Sequence, residues 1–565
     1  MKTKFKNYQE ANNLFTKLSN EKKAKFYKKI VNSKLMFYGL DSKQMSLILS
    51  NYCLTSGPLD LSYELSSLIF NSNIDELSDN KKILEYYLYF LKYVDNWAFV
   101  DMILPHKKFK KITYEEFNSV RSTLLDSNHE FMIRAGYISY ILTIKQTKHY
   151  DEIFDSITKH SHSEYYYVVM GLAWLLSEMF IFSPIKVLNY ILESNLSSLI
   201  KNKAIQKIKE SRRTNNIQKL ALDYCSNYIK YDTKNNNNIL GKTNLRVNKL
   251  ALGGIPLQRV DDASLIIEAF VASKGNFIDT AKAYTSSEAL IGKAISGYRE
   301  KVIISTKSLA TSYEKMGIDV EDSLVKLQTS YIDLYQFHNC KSFESYNLLK
   351  GAYEKLSEYK KRGIIKHIGI TSHNMDFLYE LINSKRYLEY EIETVQIPHN
   401  ILELNALRVI KRAVKEKLGI LIMKPLAGGN LSSEVLNYLI CNKDINLILV
   451  GMDSVKQVEE NFSVLKSNKH MDFDYYFNTI EKLDNDFCRR CEYCMPCIKN
   501  IDISMCLLIE NYYRSYKLYD WAKLRYNNLS VKPDECEKCG QCENKCPYGL
   551  KIMNKLERVV EVFKK

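Results

Sequence analysis

The chain has 565 residues, whereas a single domain usually has about 100 to 200, so we expect about three or four domains rather than one compact core. Hydrophobic residues make up 46% of the chain and charged residues 26%, with only 9 Pro and 20 Gly, which excludes collagen-like and wholly disordered chains. The 80 Lys and Arg residues outnumber the 65 Asp and Glu residues by 15, a moderate excess that favours acidic partners without requiring them.

The first residues, MKTKFKNYQEANNLF, contain early lysines but no apolar stretch behind them. Because a secretion signal needs such a stretch, we expect a cytoplasmic protein. The longest apolar run, residues 165–185, has about the length of a bilayer span but carries Glu178 near its centre. An unpaired charge is rare in lipid, so this run predicts a buried helix and no membrane partner.

Residues 1–230 show apolar side chains at three- and four-residue spacing with few prolines, which predicts an all-helical region. Residues 81–94, 131–144 and 183–196 are examples of its predicted helices. Short polar breaks between consecutive helices indicate a HEAT-like helical repeat or a helical bundle. The asparagine-rich segment 231–238 has too few apolar residues to build a core and predicts a linker.

Between residues 239 and 480, short apolar runs alternate with helical stretches. The runs are VNKLALGG, NFIDTA, KVIISTK, IDLYQFH, IIKHIGIT, ETVQIP, GILIMKP and NLILVG. Their number and order predict a (β/α)8 TIM barrel. Active sites of such barrels lie at the carboxyl ends of the strands, which here carry Asp279, Lys307, His338, Ser372, Gln396 and Lys424.

The barrel region resembles the aldo/keto reductase family in NFIDTAKAYTSSEALIGKAI, followed by ISTK and LYQFH. The resemblance implies an oxidoreductase that uses NAD(P)H and acts on a small carbonyl compound or alcohol. It also implies a catalytic tetrad of Asp279, Tyr284, Lys307 and His338.

Carbonyl reduction explains why the implied tetrad needs these four side chains. Hydride transfer leaves negative charge on the carbonyl oxygen, so a proton donor must already point at it. Tyr284 would be this acid, and the Lys307 ammonium would lower its pKa and stabilise the tyrosinate. Asp279 would keep Lys307 charged, and His338 would orient the substrate oxygen.

The same resemblance implies a set of cofactor-binding residues. Thr371 and Ser372 take the place of the Ser-Asn pair that holds the nicotinamide carboxamide, and Met423 stands where many members have a stacking aromatic. Gln457 replaces the arginine that usually pairs with a 2′-phosphate, which leaves the choice between NADPH and NADH open. The full set is Gly253, Gly254, Thr371, Ser372, Gln396, Met423, Lys424, Leu426, Gly428, Gly451, Ser454, Gln457, Glu460 and Asn461.

Cysteines are concentrated in the last segment, residues 481–565, where they form two runs. The runs are Cys488, Cys491, Cys494 and Cys497, and Cys536, Cys539, Cys542 and Cys546. The second run has the C-x2-C-x2-C-x3-C-P spacing of bacterial-type ferredoxins, which predicts two 4Fe-4S clusters in a small ferredoxin-like domain. Zinc is the competing metal, and Cys506 is predicted to be spare.

In two-cluster ferredoxins the fourth cysteine of each run serves the other cluster, so Cys546 would join the first run and Cys497 the second. Residues 241–565 therefore resemble the aldo/keto reductases that carry a ferredoxin-type tail. The resemblance implies clusters that either exchange electrons with a partner protein or simply stabilise the tail.

Residues 20–225 resemble the DNA alkylation repair family in VDNWAFVD (94–101), YYYVVMGLAWLLSE (165–178) and NKAIQKIKESRR (202–213). The resemblance implies a cleft for duplex DNA that includes Trp97, Asp101, Arg134 and Trp174. The alternative is that both tryptophans belong to the core and Asp101 is an ordinary helix-end carboxylate. Residues 1–230 carry 32 Lys and Arg against 23 Asp and Glu, with the excess concentrated at 201–219.

The leading function for the whole chain is a nicotinamide-dependent aldo/keto oxidoreductase with an iron–sulfur electron-transfer tail. One alternative is a DNA-binding or alkylation-repair protein, including a glycosylase, with a fused redox module. The other is a helical-repeat scaffold that binds another protein. The sequence leaves the substrate, the reaction direction and the electron partner open.

Overall fold

The computed structural model describes residues 74–564, except 76, 93, 95–96, 102, 105, 146–148, 232–236, 468 and 484–485. The chain divides into two compact units, Met1–Ile229 and Lys230–Lys565. The start of the predicted helical region, residues 1–73, and most of the predicted linker lie outside the described residues.

The described part of the first unit is helical, as predicted. Its α-helices are α1 (Asn80–Leu91), α2 (Trp97–Asp101), α3 (Tyr114–Leu125), α4 (Glu130–Thr143), α5 (Tyr150–Thr158), α6 (Tyr166–Phe182), α7 (Pro184–Glu193), α8 (Ser198–Glu210) and α9 (Asn216–Lys230). Local sequence sets where helices begin. Thr113 and Glu116 form a reciprocal capping box at the start of α3, and Pro184 occupies the first turn of α7.

Helix α6 contains most of the long apolar run at 165–185 and is a buried helix, as the sequence predicts. It packs against α4, α7 and α8, so apolar residues around its whole circumference are buried. Glu178 forms an ion pair with Arg213, 2.5 Å between Oε1 and Nη2. Within the described ranges, no helix is long and apolar enough to cross a membrane.

The second unit contains a closed barrel of eight parallel strands, which confirms the predicted TIM barrel. The strands are β3 (Leu250–Gly253), β4 (Phe277–Asp279), β5 (Ile303–Ser308), β6 (Ile332–Phe337), β7 (Ile365–Thr371), β8 (Thr394–Pro398), β9 (Gly419–Met423) and β10 (Leu447–Gly451). Strand β10 pairs with β3 and closes the barrel. Every residue of β6 is buried, because helices cover the outer face and side chains fill the interior.

Helices connect the barrel strands and cover them. They are α10 (Ser264–Ala272), α11 (Ser287–Ile295), α12 (Tyr313–Lys326), α13 (Phe343–Asn347), α14 (Lys350–Lys361), α15 (Met375–Asn383), α16 (Ala406–Lys415), α17 (Leu436–Ile440), α18 (Val455–Lys466) and α19 (Phe473–Leu483). This alternation of strands and helices brings all eight strand carboxyl ends to one mouth of the barrel.

A short antiparallel ribbon precedes the barrel and consists of β1 (Asn237–Ile239) and β2 (Arg246–Asn248). Two residues of the predicted linker, 237 and 238, therefore lie in a strand. The Asn238 side chain donates a hydrogen bond to the Asn446 carbonyl at 3.1 Å, so the end of the asparagine-rich segment is bound to the barrel backbone.

The cysteine-rich tail belongs to the same compact unit as the barrel. It contains α20 (Ile503–Arg514), α21 (Tyr519–Asn527), α22 (Gln541–Lys545) and α23 (Ile552–Phe563). Apolar residues such as Ile509 and Val559 form a core against which most of the clustered cysteines pack. A ferredoxin-like fold is not shown for the tail, because its described residues form helices and loops without a strand.

Candidate active site

The barrel brings the four residues of the predicted tetrad to its mouth. Asp279 ends β4, Lys307 is the penultimate residue of β5 and His338 follows β6 directly. Tyr284 lies in the loop between β4 and α11. The four side chains come from neighbouring strands because β4, β5 and β6 pair consecutively.

Lys307 and Asp279 form a buried ion pair, with 2.7 Å between Nζ and Oδ2 and exposed side-chain fractions of 1% and 5%. Lys307 also donates to the Thr280 carbonyl at 2.7 Å. Burial lowers the pKa of Lys307, whereas Asp279 raises it. The carboxylate is therefore the group that favours the ammonium form of this lysine.

Further polar side chains hold the Asp279 carboxylate in place. Ser305 Oγ donates to Oδ1 at 3.0 Å, and Gln396 Nε2 donates to Oδ2 at 3.2 Å. Gln336, which was not predicted as a site residue, donates to Ser305 Oγ at 2.9 Å and to Gln396 Oε1 at 2.7 Å. This network fixes the direction in which Asp279 holds the ammonium.

Tyr284 lies beside the ion pair and beside His338. The Lys307 ammonium is 5.3 Å from the centre of the tyrosine ring, and the rings of Tyr284 and His338 are 6.2 Å apart and nearly perpendicular. Burial raises the pKa of Tyr284 well above its usual value, and the charge of Asp279 adds to this increase. The predicted lowering of this pKa is therefore wrong for this arrangement, because burial outweighs the nearby cations.

His338 is uncharged near neutral pH. Burial lowers its pKa to about 3, and the positive charges of Lys307, Arg525 and Lys424 act in the same direction. Its Nδ1 atom is buried and has no hydrogen-bond partner in the part of the chain that the structure describes. A neutral imidazole has one donor and one acceptor nitrogen, so His338 can donate to a substrate oxygen without transferring a proton.

Two of the predicted carboxamide-binding side chains already make hydrogen bonds within the barrel. Thr371 Oγ1 accepts from the Asn339 N–H at 2.7 Å and keeps its hydroxyl hydrogen to donate. Gln396 uses both ends of its amide, with Asp279 and Gln336 as partners. Gln396 would therefore have to release one of these bonds to contact a nicotinamide.

The loop that follows β9 contains the predicted cofactor residues Lys424, Leu426 and Gly428 and is bordered by the tail. Gly428 and Gly429 have φ angles of +71° and +88°, a conformation that favours glycine. A Cβ atom on Gly428 would lie 2.5 Å from Asn511 Nδ2 and 2.9 Å from Tyr516 Cε2. Glycine is thus required here both by the backbone and by the close approach of the tail.

The predicted cofactor residues Ser454 and Gln457 lie at the start of α18. Ser454 caps this helix by accepting from the Gln457 N–H at 3.3 Å. Asp453, just before the cap, pairs with Arg259 at 2.5 Å. Helix N-termini attract anions, so the segment suits a phosphate-bearing ligand. Arg259 was not predicted as a site residue, because it follows β3, a strand that is far away in sequence and pairs with β10.

Of the remaining predicted cofactor residues, Gly253 ends β3 and Gly451 ends β10 at this end of the barrel, whereas Glu460 and Asn461 lie midway along α18. Gly254 N–H donates to the Asp279 carbonyl at 2.7 Å, which joins the loop after β3 to the catalytic strand. Ser372 Oγ accepts from the Asn374 N–H at 2.9 Å, so this hydroxyl shapes the loop after β7. The side chains of Met423 and Leu426 are partly exposed there.

The eight clustered cysteines lie together in the tail. Cys488, Cys491, Cys494 and Cys546 are close enough for their charges to influence one another, although burial is the main cause of the raised pKa values of the first three. A cavity of about 20 Å³ is lined by Cys497, Cys536, Cys539 and Cys542, together with Cys494. None of the eight forms a disulfide. Among the described residues, no three His, Cys, Asp or Glu side chains are positioned as a metal site.

The first unit brings two predicted cleft residues into direct contact. Arg134 donates to both Asp101 oxygens, from Nε at 3.0 Å and from Nη2 at 2.8 Å, and its Nη1 donates to the Tyr167 carbonyl. Trp97 is 45% exposed, so it is not a core residue, whereas Trp174 is partly buried against the apolar core. Asp101 is therefore held by a bidentate arginine near an exposed indole.

Comparison with known proteins identifies two domains in the chain. Residues 249–440 match the aldo/keto reductase family, and residues 11–208 match the DNA alkylation repair enzymes. These matches support the predicted resemblance of both regions to those families.

Relatives of known name match part of the chain. L-galactose dehydrogenase from Arabidopsis thaliana is 24% identical over 285 residues, which cover 42% of this chain and 89% of that protein. Methylglyoxal reductase DkgA from Escherichia coli is 36% identical over 110 residues, covering 19% of this chain and 38% of that protein. The holo form of an aldo-keto reductase from Bacillus halodurans is 23% identical, covers 44% of this chain and 95% of that chain, and has a TM-score of 0.38.

Proposed function

We propose that the barrel is a nicotinamide-dependent oxidoreductase that interconverts small carbonyl compounds and alcohols. The observation that carries the proposal is the buried ion pair of Lys307 and Asp279 beside Tyr284 at the barrel mouth. A bound nicotinamide would supply or accept the hydride.

The residues of the chain would manage the proton and the developing charge. Tyr284 would donate its phenolic proton to the carbonyl oxygen, because burial keeps the phenol protonated near neutral pH. The Lys307 ammonium would stabilise the tyrosinate left behind, and His338 would donate a hydrogen bond that orients the substrate oxygen. In alcohol oxidation the same groups would act in reverse.

The cofactor fits the same end of the barrel. The loop at Gly428 and the N-terminus of α18 would hold its phosphates, since both present backbone suited to anions. Thr371 has a hydroxyl hydrogen left to donate to the carboxamide. Gln457 is neutral and offers no charge to a 2′-phosphate, so the affinity of the protein should be measured for both NADPH and NADH.

For the tail we propose two 4Fe-4S clusters, one held by Cys488, Cys491, Cys494 and Cys546 and one held by Cys497, Cys536, Cys539 and Cys542. The spacing of the two cysteine runs in the sequence supports the crossed arrangement expected of two-cluster ferredoxins. A cluster transfers one electron at a time and a hydride carries two, so the clusters would serve a partner electron-transfer protein or stabilise the tail.

A second candidate function concerns the first unit, for which we propose binding to duplex DNA. The exposed Trp97 near the bidentate pair of Arg134 and Asp101 supports this proposal. If the unit also releases alkylated bases, Asp101 would stabilise the cationic sugar that forms as the base departs.

Isotope transfer tests the proposed oxidoreductase directly. The full chain, purified without oxygen, is incubated with 4-deuterated NADPH or NADH and an aromatic aldehyde, and the alcohol is analysed by mass spectrometry. Deuterium in the alcohol is expected, because the hydride moves directly from the nicotinamide to the carbonyl carbon. Absence of labelled alcohol with either cofactor and a range of aldehydes would contradict the proposal.

A further inference from the structure

The tail places a cation at the barrel mouth that the proposed proton transfer does not use. Burial is the main influence on the pKa of both Tyr284 and His338, and the charge of Arg525 lowers each of them. Arg525 lies on α21, outside the barrel sequence, yet it is close to both the acid and the orienting imidazole. Its charge therefore acts on the two groups that would contact the substrate carbonyl.

An aromatic stack holds the Arg525 guanidinium in position. The guanidinium carbon lies 4.2 Å from the centre of the Trp521 ring, and that ring lies 4.6 Å from the ring of Tyr512 on α20. The rings of Tyr512 and Tyr516 are 5.6 Å apart, and Tyr516 borders Gly428 in the loop after β9 at the barrel mouth. Stacking on aromatic faces restricts an arginine without using its N–H donors.

Arg525 has no acidic partner among the residues that the structure describes, and its Nε is buried without a hydrogen bond. The neighbouring cations differ in this respect. Lys307 pairs with Asp279 at 2.7 Å, and Arg490 pairs with Glu403 at 2.8 Å. A guanidinium carries five N–H donors, and leaving a buried donor unpaired is unfavourable. These donors are thus available to a ligand.

The electrostatic field at the barrel mouth is more positive than the tetrad alone would make it. Lys424, at the end of β9, also lowers the pKa of His338, and no ion pair joins it to a described acid. The charge of Lys307 is balanced by Asp279, and burial lowers the pKa of Lys424 well below its usual value. Arg525 therefore contributes the excess. Such a field attracts anionic substrates and raises their local concentration.

We propose that Arg525 binds a carboxylate on the substrate, so that the barrel acts on carbonyl compounds that carry a carboxylate remote from the reacting carbon. This inference rests on the proposed oxidoreductase function. The planar fork of an arginine matches the two oxygens of a carboxylate, and the contact would hold the carbonyl against Tyr284 and His338. The tail would then determine substrate specificity for the barrel.

A pair of matched aldehydes tests the proposal kinetically. The full chain, prepared without oxygen, is assayed with 4-carboxybenzaldehyde and 4-methylbenzaldehyde, which differ in charge and little in size. We expect kcat/KM to favour the carboxylate, and Arg525→Met to reduce this ratio about tenfold or more, mainly through KM. Lys523→Met, an exposed cation on the same helix, is the control and should keep the ratio.

A binding measurement makes the test independent of catalysis. Trp521 stacks on Arg525, so the product 4-(hydroxymethyl)benzoate should change tryptophan fluorescence, and 4-methylbenzyl alcohol should do so less. The change should be absent in Trp521→Phe, and Arg525→Met should weaken binding about tenfold or more. Calorimetric titration of the same product reports binding without relying on tryptophan.

The outcomes separate the inference from the proposed function. Equal preference for the two aldehydes in the parent, or product binding unaffected by Arg525→Met, overturns the inference while leaving a reductase in place. A loss of NADPH or NADH affinity in Arg525→Met, with the aldehyde ratio retained, also overturns it, since Arg525 would then serve a cofactor phosphate. If neither aldehyde is reduced, the proposed function fails and the product titration alone decides the carboxylate site.

Discussion

The ammonium of Lys307 and the carboxylate of Asp279 form an ion pair of 2.7 Å that is almost fully removed from solvent. Burial alone would favour the neutral amine, and the carboxylate acts against this effect. The charge on Lys307, which the proposed chemistry needs beside Tyr284, therefore depends on a partner that contacts neither the substrate nor the cofactor in the proposed reaction.

Replacing the Asp279 carboxylate should shift the pH dependence of carbonyl reduction. In Asp279→Asn the pKa of Lys307 loses the influence that raises it, so the ammonium deprotonates at lower pH. Activity at high pH should then be lost about one pH unit or more earlier than in the parent. The measurement is kcat against pH, with Asp333→Asn as the control, because Asp333 pairs with Arg299 near the start of β6. An unchanged profile would contradict the role given to Asp279.

Because His338 is neutral, we expect one ionisation to be absent from the pH profile of kcat/KM. Because burial and three nearby cations lower its pKa to about 3, His338 stays uncharged from pH 5 to 8. The profile of kcat/KM should therefore show no break near pH 6.5 from this residue, and His338→Gln should lower activity without changing the shape of the profile. A break in the parent that disappears in His338→Gln would show that this histidine titrates normally.

Iron content tests the two cysteine groups without an activity assay. Protein purified without oxygen should contain about eight iron atoms per chain, and Cys494→Ser and Cys539→Ser should each lose about four of them. Cys506→Ala is the control, because Cys506 is buried in the tail core and is assigned to neither group. Zinc in place of iron would contradict the cluster proposal, and so would full iron content in both serine variants.

The sequence predicted the barrel well because each strand is a continuous buried run between helices. Asp279 and Lys307 could be predicted as partners, since they end neighbouring strands. The pKa of Tyr284 was predicted in the wrong direction, because the sequence shows which charges are near and not how deeply the phenol is buried. Arg525 was missed, because its proximity to His338 depends on how the tail packs on the barrel.

The basic segment at 201–219 carries less free charge than the sequence indicates. Arg213 is paired with Glu178 and Lys209 with Asp223, so part of its charge is already neutralised within the unit. The sequence does not show such pairs, because the acids lie on other helices. Arg212 is exposed and has no ion pair with any described residue, which makes it the arginine of this segment to test.

Salt dependence tests the DNA-binding proposal. The full chain should bind duplex DNA with an affinity that falls steeply as salt rises, because binding releases counterions. Arg212→Glu should weaken binding to every sequence alike, more than Lys186→Glu, which makes the same charge change on α7. Fluorescence anisotropy at several salt concentrations measures this. Absence of salt-dependent binding at low ionic strength would leave a protein-binding scaffold as the function of the first unit.

The rate of hydride transfer in Tyr284→Phe tests the central claim most directly. The full chain is loaded with the nicotinamide that it binds, mixed with 4-carboxybenzaldehyde, and followed through one turnover by nicotinamide absorbance. Removing the phenolic proton should slow reduction by about a hundredfold or more, whereas Tyr298→Phe, which removes a phenol away from the mouth, should reduce at the parent rate. Reduction by Tyr284→Phe at the parent rate would contradict the account.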